Sequence, residues 1–303
     1  MRLGITSLSY NRWFGEPRRE LRAQLPLYFP YQTERIPMDE SLAWCIRKAH
    51  DLGVEVLADP VLRWREPDYV EAMAELAAQH GVAVEPWMVV DLMATGEAAK
   101  RAADEIVAFM RAVCRPLGAT ILGTGQSPMI YHRYLDEPPL EEQLARVAES
   151  LRPITRAAQA EGVTLALENH IDYWAEEYQR IRADVGSPAL RFRLDTANQF
   201  LVIEDPVRAA ATLAADVVTV HVKDVKVIPF SGEGARIVGA PIGKGNVDLR
   251  AILSILRAHA PDPARLPLVV EMNWVPSNED PAYWSDQSVR WMKETFAEFL
   301  ARG

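Results

Sequence analysis

Four short segments of the chain each end in a residue able to ligate a metal: Thr164-Leu165-Ala166-Leu167-Glu168, Arg191-Phe192-Arg193-Leu194-Asp195, Val217-Val218-Thr219-Val220-His221 and Leu268-Val269-Val270-Glu271. Along a strand, successive side chains point to opposite faces. If Leu165, Leu167, Phe192, Leu194, the valines 218 and 220, Leu268 and Val270 pack outward, then Glu168, Asp195, His221 and Glu271 point to the other side. Each residue alone is ordinary, since a carboxylate at a strand end commonly caps a helix and a lone histidine is commonly a hydrogen-bonded core residue. Together they predict a metal site, because carboxylates converging on one point raise one another's pKa values unless a cation neutralises them. One imidazole with three carboxylates is a mostly hard oxygen set. The expected cofactor is one divalent cation, Mn²⁺ first, with Mg²⁺, Co²⁺, Fe²⁺ and Zn²⁺ as alternatives.

Such a convergence requires elements that bring several strand ends to one place. Short β-branched runs alternate with Ala/Leu/Glu/Arg-rich stretches through the whole chain, which is the pattern of βα units. The predicted strands are Arg2 to Ser7, Val54 to Asp59, Val82 to Val89, Ala119 to Gly125, Val163 to Asn169, Arg191 to Asn198, Val217 to Asp224 and Leu266 to Asn273. Predicted helices cover about 39–52, 67–80, 97–117, 140–161, 176–184, 205–214, 248–260 and 281–301. Eight strands are what a closed (β/α)₈ barrel needs. The expected fold class is α/β, a single TIM-barrel domain over residues 1–303. Two long loops, 8–38 and 225–245, would rise over the C-terminal face, where barrels keep their active sites.

Composition narrows the function. With 33 Lys+Arg against 42 Asp+Glu the formal net charge is −9, which lacks the basic footprint of a nucleic-acid binder. No stretch approaches the length of an apolar membrane span. Cys45 and Cys114 are the only cysteines, too few for a disulfide framework. The start of the chain runs into a strand-like segment without an apolar leader. These features predict a cytoplasmic protein with a small-molecule substrate and neither a nucleic-acid nor a membrane partner, and they leave a homo-oligomer open.

Several residues share the barrel mouth with the four ligands. Lys223 has the inward parity of His221, and it either polarises a substrate or pairs with a neighbouring carboxylate. Glu85 and Arg193 both face inward, either as a buried ion pair or as an arginine fork for a substrate carboxylate. Trp87, Trp174, Trp274, Tyr10 and Trp13 could supply flat apolar walls. Asn169, His170, Asn198 and Asn273 could supply hydrogen bonds. Asp224 points the other way and is read as a cap on the following loop. Gly123-Thr124-Gly125 is too short for a phosphate cradle, and no nucleotide-binding loop is present.

The segments Leu165-Ala166-Leu167-Glu168-Asn169-His170, Leu194-Asp195-Thr196-Ala197-Asn198, His221-Val222-Lys223-Asp224, Gly243-Lys244-Gly245-Asn246-Val247-Asp248 and Val269-Val270-Glu271 resemble the xylose-isomerase-like barrel superfamily, in particular its sugar phosphate isomerase/epimerase proteins. By that resemblance Glu168, Asp195, His221 and Glu271 correspond to the metal ligands, and Glu168 and Glu271 also move the substrate proton. The implied activity is isomerisation or epimerisation of a keto-sugar or sugar derivative through a metal-stabilised enediolate. The sequence departs from the ketose epimerases in carrying Asn198 where they typically have His and Val227 where they tend to have Arg. A metal-dependent lyase, a decarboxylase or dehydratase of a keto-sugar acid with Lys223 as a third catalytic group, is the alternative. An apurinic-site endonuclease, which shares the barrel, is disfavoured by the six histidines and the acidic charge. A non-catalytic sugar-binding barrel would not require both glutamates.

Overall fold

The strands that carry the predicted ligands lie side by side in a closed barrel. A computed structural model describes residues 1–14, 36–37, 40–60, 66–126, 132–232, 234–276 and 279–300, apart from the side chains of residues 12 and 13. Most of the expected 8–38 loop, including the Trp13 side chain, lies outside the described residues.

The barrel strands are β1 (Arg2–Thr6), β2 (Val56–Pro60), β3 (Ala83–Val90), β4 (Ile121–Gln126), β5 (Thr164–Glu168), β6 (Leu190–Asp195), β7 (Val217–Val222) and β10 (Pro267–Val270). They pair in parallel in that order around the ring, and β10 closes on β1. Between them run α1 (Ser41–Asp51), α2 (Pro67–Gln79), α3 (Gly96–Phe109), α4 (Leu140–Glu161), α5 (Ala175–Val185), α6 (Pro206–Leu213) and α7 (Leu249–His259), with α8 (Pro281–Thr295) last. The fold is a single (β/α)₈ barrel. Among the described residues no helix is long and apolar enough to cross a membrane.

Local sequence explains the boundaries. Asp205 and Asp280 each accept a backbone N–H in the first turn of α6 and α8, beside Pro206 and Pro281, which lose no helical bond at that position. The expected helix over 97–117 is continuous but has one wider turn at Met110–Cys114, just before Pro116, whose missing N–H would otherwise break the ladder. The helix expected over 281–301 stops at Thr295. There Phe296 turns to pack edge-on against Trp291 and Phe299.

The 225–245 segment is not a plain loop. It holds an antiparallel hairpin, β8 (Asp224–Phe230) and β9 (Gly234–Ala240), which its turn residues and Pro229 conceal in the sequence. Gly239 sits at the hairpin base, donating its N–H to the Trp274 carbonyl at 2.9 Å. A Cβ on Gly239 would collide with the Asn273 carbonyl, so only glycine admits this approach.

Outward-facing Leu165, Leu167, Phe192, Leu194, Val220, Val222, Leu268 and Val270 are buried in the layer between strands and helices. Inside the barrel the register stacks two polar layers. Arg193 lies beside Thr219, and one step higher Asp195 lies beside His221. Glu168 is level with Arg193 on its other side.

Candidate metal centre

β5, β6 and β7, together with the residue just past β10, deliver Glu168, Asp195, His221 and Glu271 to one point. One ligand atom from each lies within 4.8 Å of every other. Asp195, His221 and Glu271 are buried and Glu168 is partly open, so the cluster faces the barrel mouth through Glu168. The His221 ring is 3.4 Å from Glu271 Oε2 and 3.6 Å from Glu168 Oε2.

The strand ends are held in place by side chains between them. Asn169 Oδ1 accepts the Asp195 N–H at 2.6 Å, and its Nδ2 donates to the Asp195 carbonyl at 3.1 Å. Asp195 Oδ1 in turn accepts the N–H groups of Ala197 and Asn198 at 2.8 and 3.0 Å. That fixes one carboxylate oxygen in a turn and leaves Oδ2 aimed at the cluster. Asn198 donates to Glu168 Oε1 at 3.3 Å and accepts from Lys223 Nζ at 3.1 Å. The Lys223 ammonium lies 2.7 Å from Asp195 Oδ2 and 3.0 Å from Glu271 Oε2. The Trp274 ring covers it, with the ammonium 4.6 Å from the ring centroid. Trp274 has a φ of 55°, a left-handed conformation that a bulky residue adopts only under constraint, here from the hairpin base.

Under this layer Arg193 is fully buried, with Nη2 2.5 Å from Glu85 Oε1 and Nη1 3.7 Å from Glu168 Oε2. Thr219 donates to the other Glu85 oxygen at 2.8 Å. Gly123 leaves the space, since a Cβ there would collide with the guanidinium. The two form an internal ion pair, one of the two alternatives the sequence left, and the Arg193 guanidinium has no exposed surface. Both ends of the Asn169 amide are engaged, with Asp195 and with Gln199 Oε1. Tyr10 is also structural, its hydroxyl donating to Asp286 at 2.8 Å. Trp174 bonds the Val202 carbonyl through Nε1 at 2.7 Å and stacks under Arg133.

Asn198 contacts Glu168 and Lys223, Trp274 contacts Lys223, His170 lies close enough to feel Lys223 and Asp195, and Trp87 lies 5.9 Å from the Arg193 guanidinium. His170 Nδ1 and Trp87 Nε1 are buried without a hydrogen-bond partner. Trp87 rests on Val56, Ala58 and Val269 inside the barrel. Thr219 and Asp172 were not singled out in the sequence, and Gly123 was considered there only as part of a phosphate cradle. The parity of Thr219 with His221 was the available signal for the first. Asp224 is buried at the start of the hairpin, and its carboxylate accepts N–H bonds from Val225, Gly243 and Gly245 at 2.9 Å and from Val247 at 3.2 Å. The Gly-Lys-Gly loop thus wraps its own carboxylate.

Electrostatics follow from burial and neighbours. Burial works to raise the Glu271 carboxyl, but Lys223 and His221 together hold it well below the usual range. Burial pushes the Asp195 carboxyl up, against the pull of Lys223. Burial opposes the charge on His221, and Glu271 and Glu168 outweigh it, so its pKa rises. His170 is driven down to about 4 by burial and by Lys223. Three carboxylates thus face one ammonium, while Arg193 is committed to Glu85. Both ring nitrogens of His221, Asp195 Oδ2 and Glu271 Oε2 are buried without an aligned hydrogen bond. Three converging carboxylates beside a single ammonium, with a histidine ring between them, leave an excess of negative charge that a divalent cation would balance.

The family model described as "Xylose isomerase-like TIM barrel" matches residues 46–295. Among curated proteins, the uncharacterized protein YihM of Escherichia coli (strain K12) is 28% identical over 139 residues, which are 46% of this chain and 42% of that protein. Among solved structures, D-psicose 3-epimerase with D-tagatose from Clostridium cellulolyticum H10 superposes with a TM-score of 0.72 at 16% identity, covering 100% of both chains. A xylose isomerase-like TIM barrel protein from Mycobacterium smegmatis in complex with magnesium gives 0.70 at 15% identity, covering 99% of this chain and 98% of the other. At these identities the likeness is one of fold.

Proposed function

The chain belongs to the xylose isomerase-like TIM barrel family, and from that membership and the geometry of the cluster we propose that it is a divalent-metal-dependent sugar isomerase or epimerase acting on a keto-sugar or sugar derivative. The observation that carries this reading is the convergence of Glu168, Asp195, His221 and Glu271, with Glu168 at the end of β5 and Glu271 just past β10, and two strands, β6 and β7, between them in the ring. When bound, a divalent cation supplies Lewis acidity to a chelated carbonyl and its adjacent hydroxyl.

The chain's own groups supply the rest. Glu168 and Glu271 reach the substrate from opposite sides, and each can take or return the proton on the carbon between those oxygens. Asp195, pinned by Asn169 and its own turn, holds the centre without moving. Mn²⁺ is the first cation to test, because the donor set is mostly oxygen. Trp274 and Trp87 offer flat walls for a sugar ring.

A second reading, a metal-dependent lyase of a keto-sugar acid, is favoured by one observation: Asn198 holds the Lys223 ammonium inside the site, where it can serve a carboxylate or a leaving group. One experiment separates the two. The Mn²⁺-loaded protein is incubated in D₂O with a panel of ketoses and keto-sugar acids and followed by NMR. The proposal expects solvent deuterium at a carbon next to the carbonyl of at least one ketose, reduced by about 10²-fold or more in E168Q and E271Q. Release of CO₂ or water from a sugar acid, with no exchange into any ketose, establishes the lyase instead.

A further inference from the structure

Two oxygens of the cluster have two claimants. Asp195 Oδ2 and Glu271 Oε2 are the atoms that Lys223 Nζ approaches at 2.7 and 3.0 Å, and Asp195 and Glu271 are also among the four residues that could hold a cation. Asp195 Oδ1 cannot substitute for Oδ2, because the Ala197 and Asn198 N–H groups occupy it. The ammonium is not a surface group that can retreat into water. It is 2% exposed as a residue, roofed by Trp274 and bonded to Asn198 Oδ1. These last two contacts involve no metal-ligand residue, and both remain available when the carboxylates are taken.

We propose that Lys223 sets the affinity of the centre by competing with the divalent cation for Asp195 Oδ2 and Glu271 Oε2. The inference rests on the reading of the cluster as a metal centre. Like charges a few ångströms apart in a poorly screened site repel strongly, so every bound dication is opposed by the ammonium that remains beside it. The same ammonium keeps three converging carboxylates compatible with folding when no dication is there. Lys223 therefore makes the cation exchangeable where the four ligands alone would hold it tightly. Its contact with Asn198, the residue that also touches Glu168, keeps it in place as a donor beside the substrate position.

The test is a chelator-competition titration with Mn²⁺ on the wild type, K223M, K223Q and K223R. K223M and K223Q are expected to bind Mn²⁺ at least tenfold more tightly than the wild type, and K223R to stay within about threefold of it. Equal or weaker binding by both neutral variants, with the wild type binding normally, overturns the inference and leaves the proposed function intact. Binding by K223M but not by the wild type supports the competition and overturns the metal-dependent function. Absence of binding in every form removes both. Thermal melting gives a readout that survives a marginal fold: K223M should melt below the wild type in EDTA and gain more from added Mn²⁺. An equal gain contradicts the competition.

Discussion

Arg193 Nη2 lies 2.5 Å from Glu85 Oε1, across the barrel interior, with the arginine side chain fully buried and the glutamate nearly so. This pair forms the floor of the four-residue cluster, since the other guanidinium nitrogen faces Glu168 at 3.7 Å. Removing one member leaves the other charged and dry. E85Q is expected to lower stability by about 3–5 kcal/mol, and the double variant E85M/R193M to recover most of it, because breaking a buried pair costs more than replacing it. G123A pushes on the same guanidinium and should be destabilising in the wild type but milder beside R193M. Urea unfolding of the set checks this, and additive losses in the double variant would contradict it.

Asp224 organises the loop that follows β7. Its carboxylate accepts four backbone N–H groups, those of Val225, Gly243, Gly245 and Val247. D224A should cost about 2–4 kcal/mol, given buried donors left without an acceptor. It should also speed amide exchange across residues 241–247. Unchanged exchange there would show that the loop is held by other contacts.

Much of this was legible in the sequence. Alternation in β5, β6, β7 and β10 is clean because the outward residues are large and apolar, so the inward parity of Glu168, Asp195, His221 and Glu271 could be read directly. The Glu85–Arg193 alternatives were readable too, but choosing between them required knowing that Gly123 leaves room for the guanidinium. The tie that Asn169 makes to Asp195 was not legible, because nothing local distinguishes an amide that joins two strand ends from one that faces a ligand. The hairpin over Asp224–Ala240 was hidden because glycines and Pro229 give the same signal in a loop and in a ribbon.

Asp172 carries a pH signature. Burial pushes its carboxyl up to about 8, with a weak contact from the Tyr178 hydroxyl at 3.4 Å. An acid whose folded pKa exceeds its unfolded value of about 3.9 holds its proton only in the folded state between the two. Its contribution is therefore full below about pH 4 and lost as pH rises towards about 8. D172N, neutral throughout, should match the wild type at or below about pH 4 and exceed it in stability by a margin that grows as pH rises, to more than about 1 kcal/mol at pH 8. Parallel stability curves for the two proteins would show that Asp172 does not titrate in this window.

The central claim is that four strands build one metal centre, and elemental analysis tests it most directly. The wild type, Asp195→Ala and His221→Ala are purified without chelator, soaked in Mn²⁺, desalted and measured side by side. The account predicts about one divalent ion per chain in the wild type and a loss of most of it in both variants. A wild type as empty as its variants after soaking would contradict it.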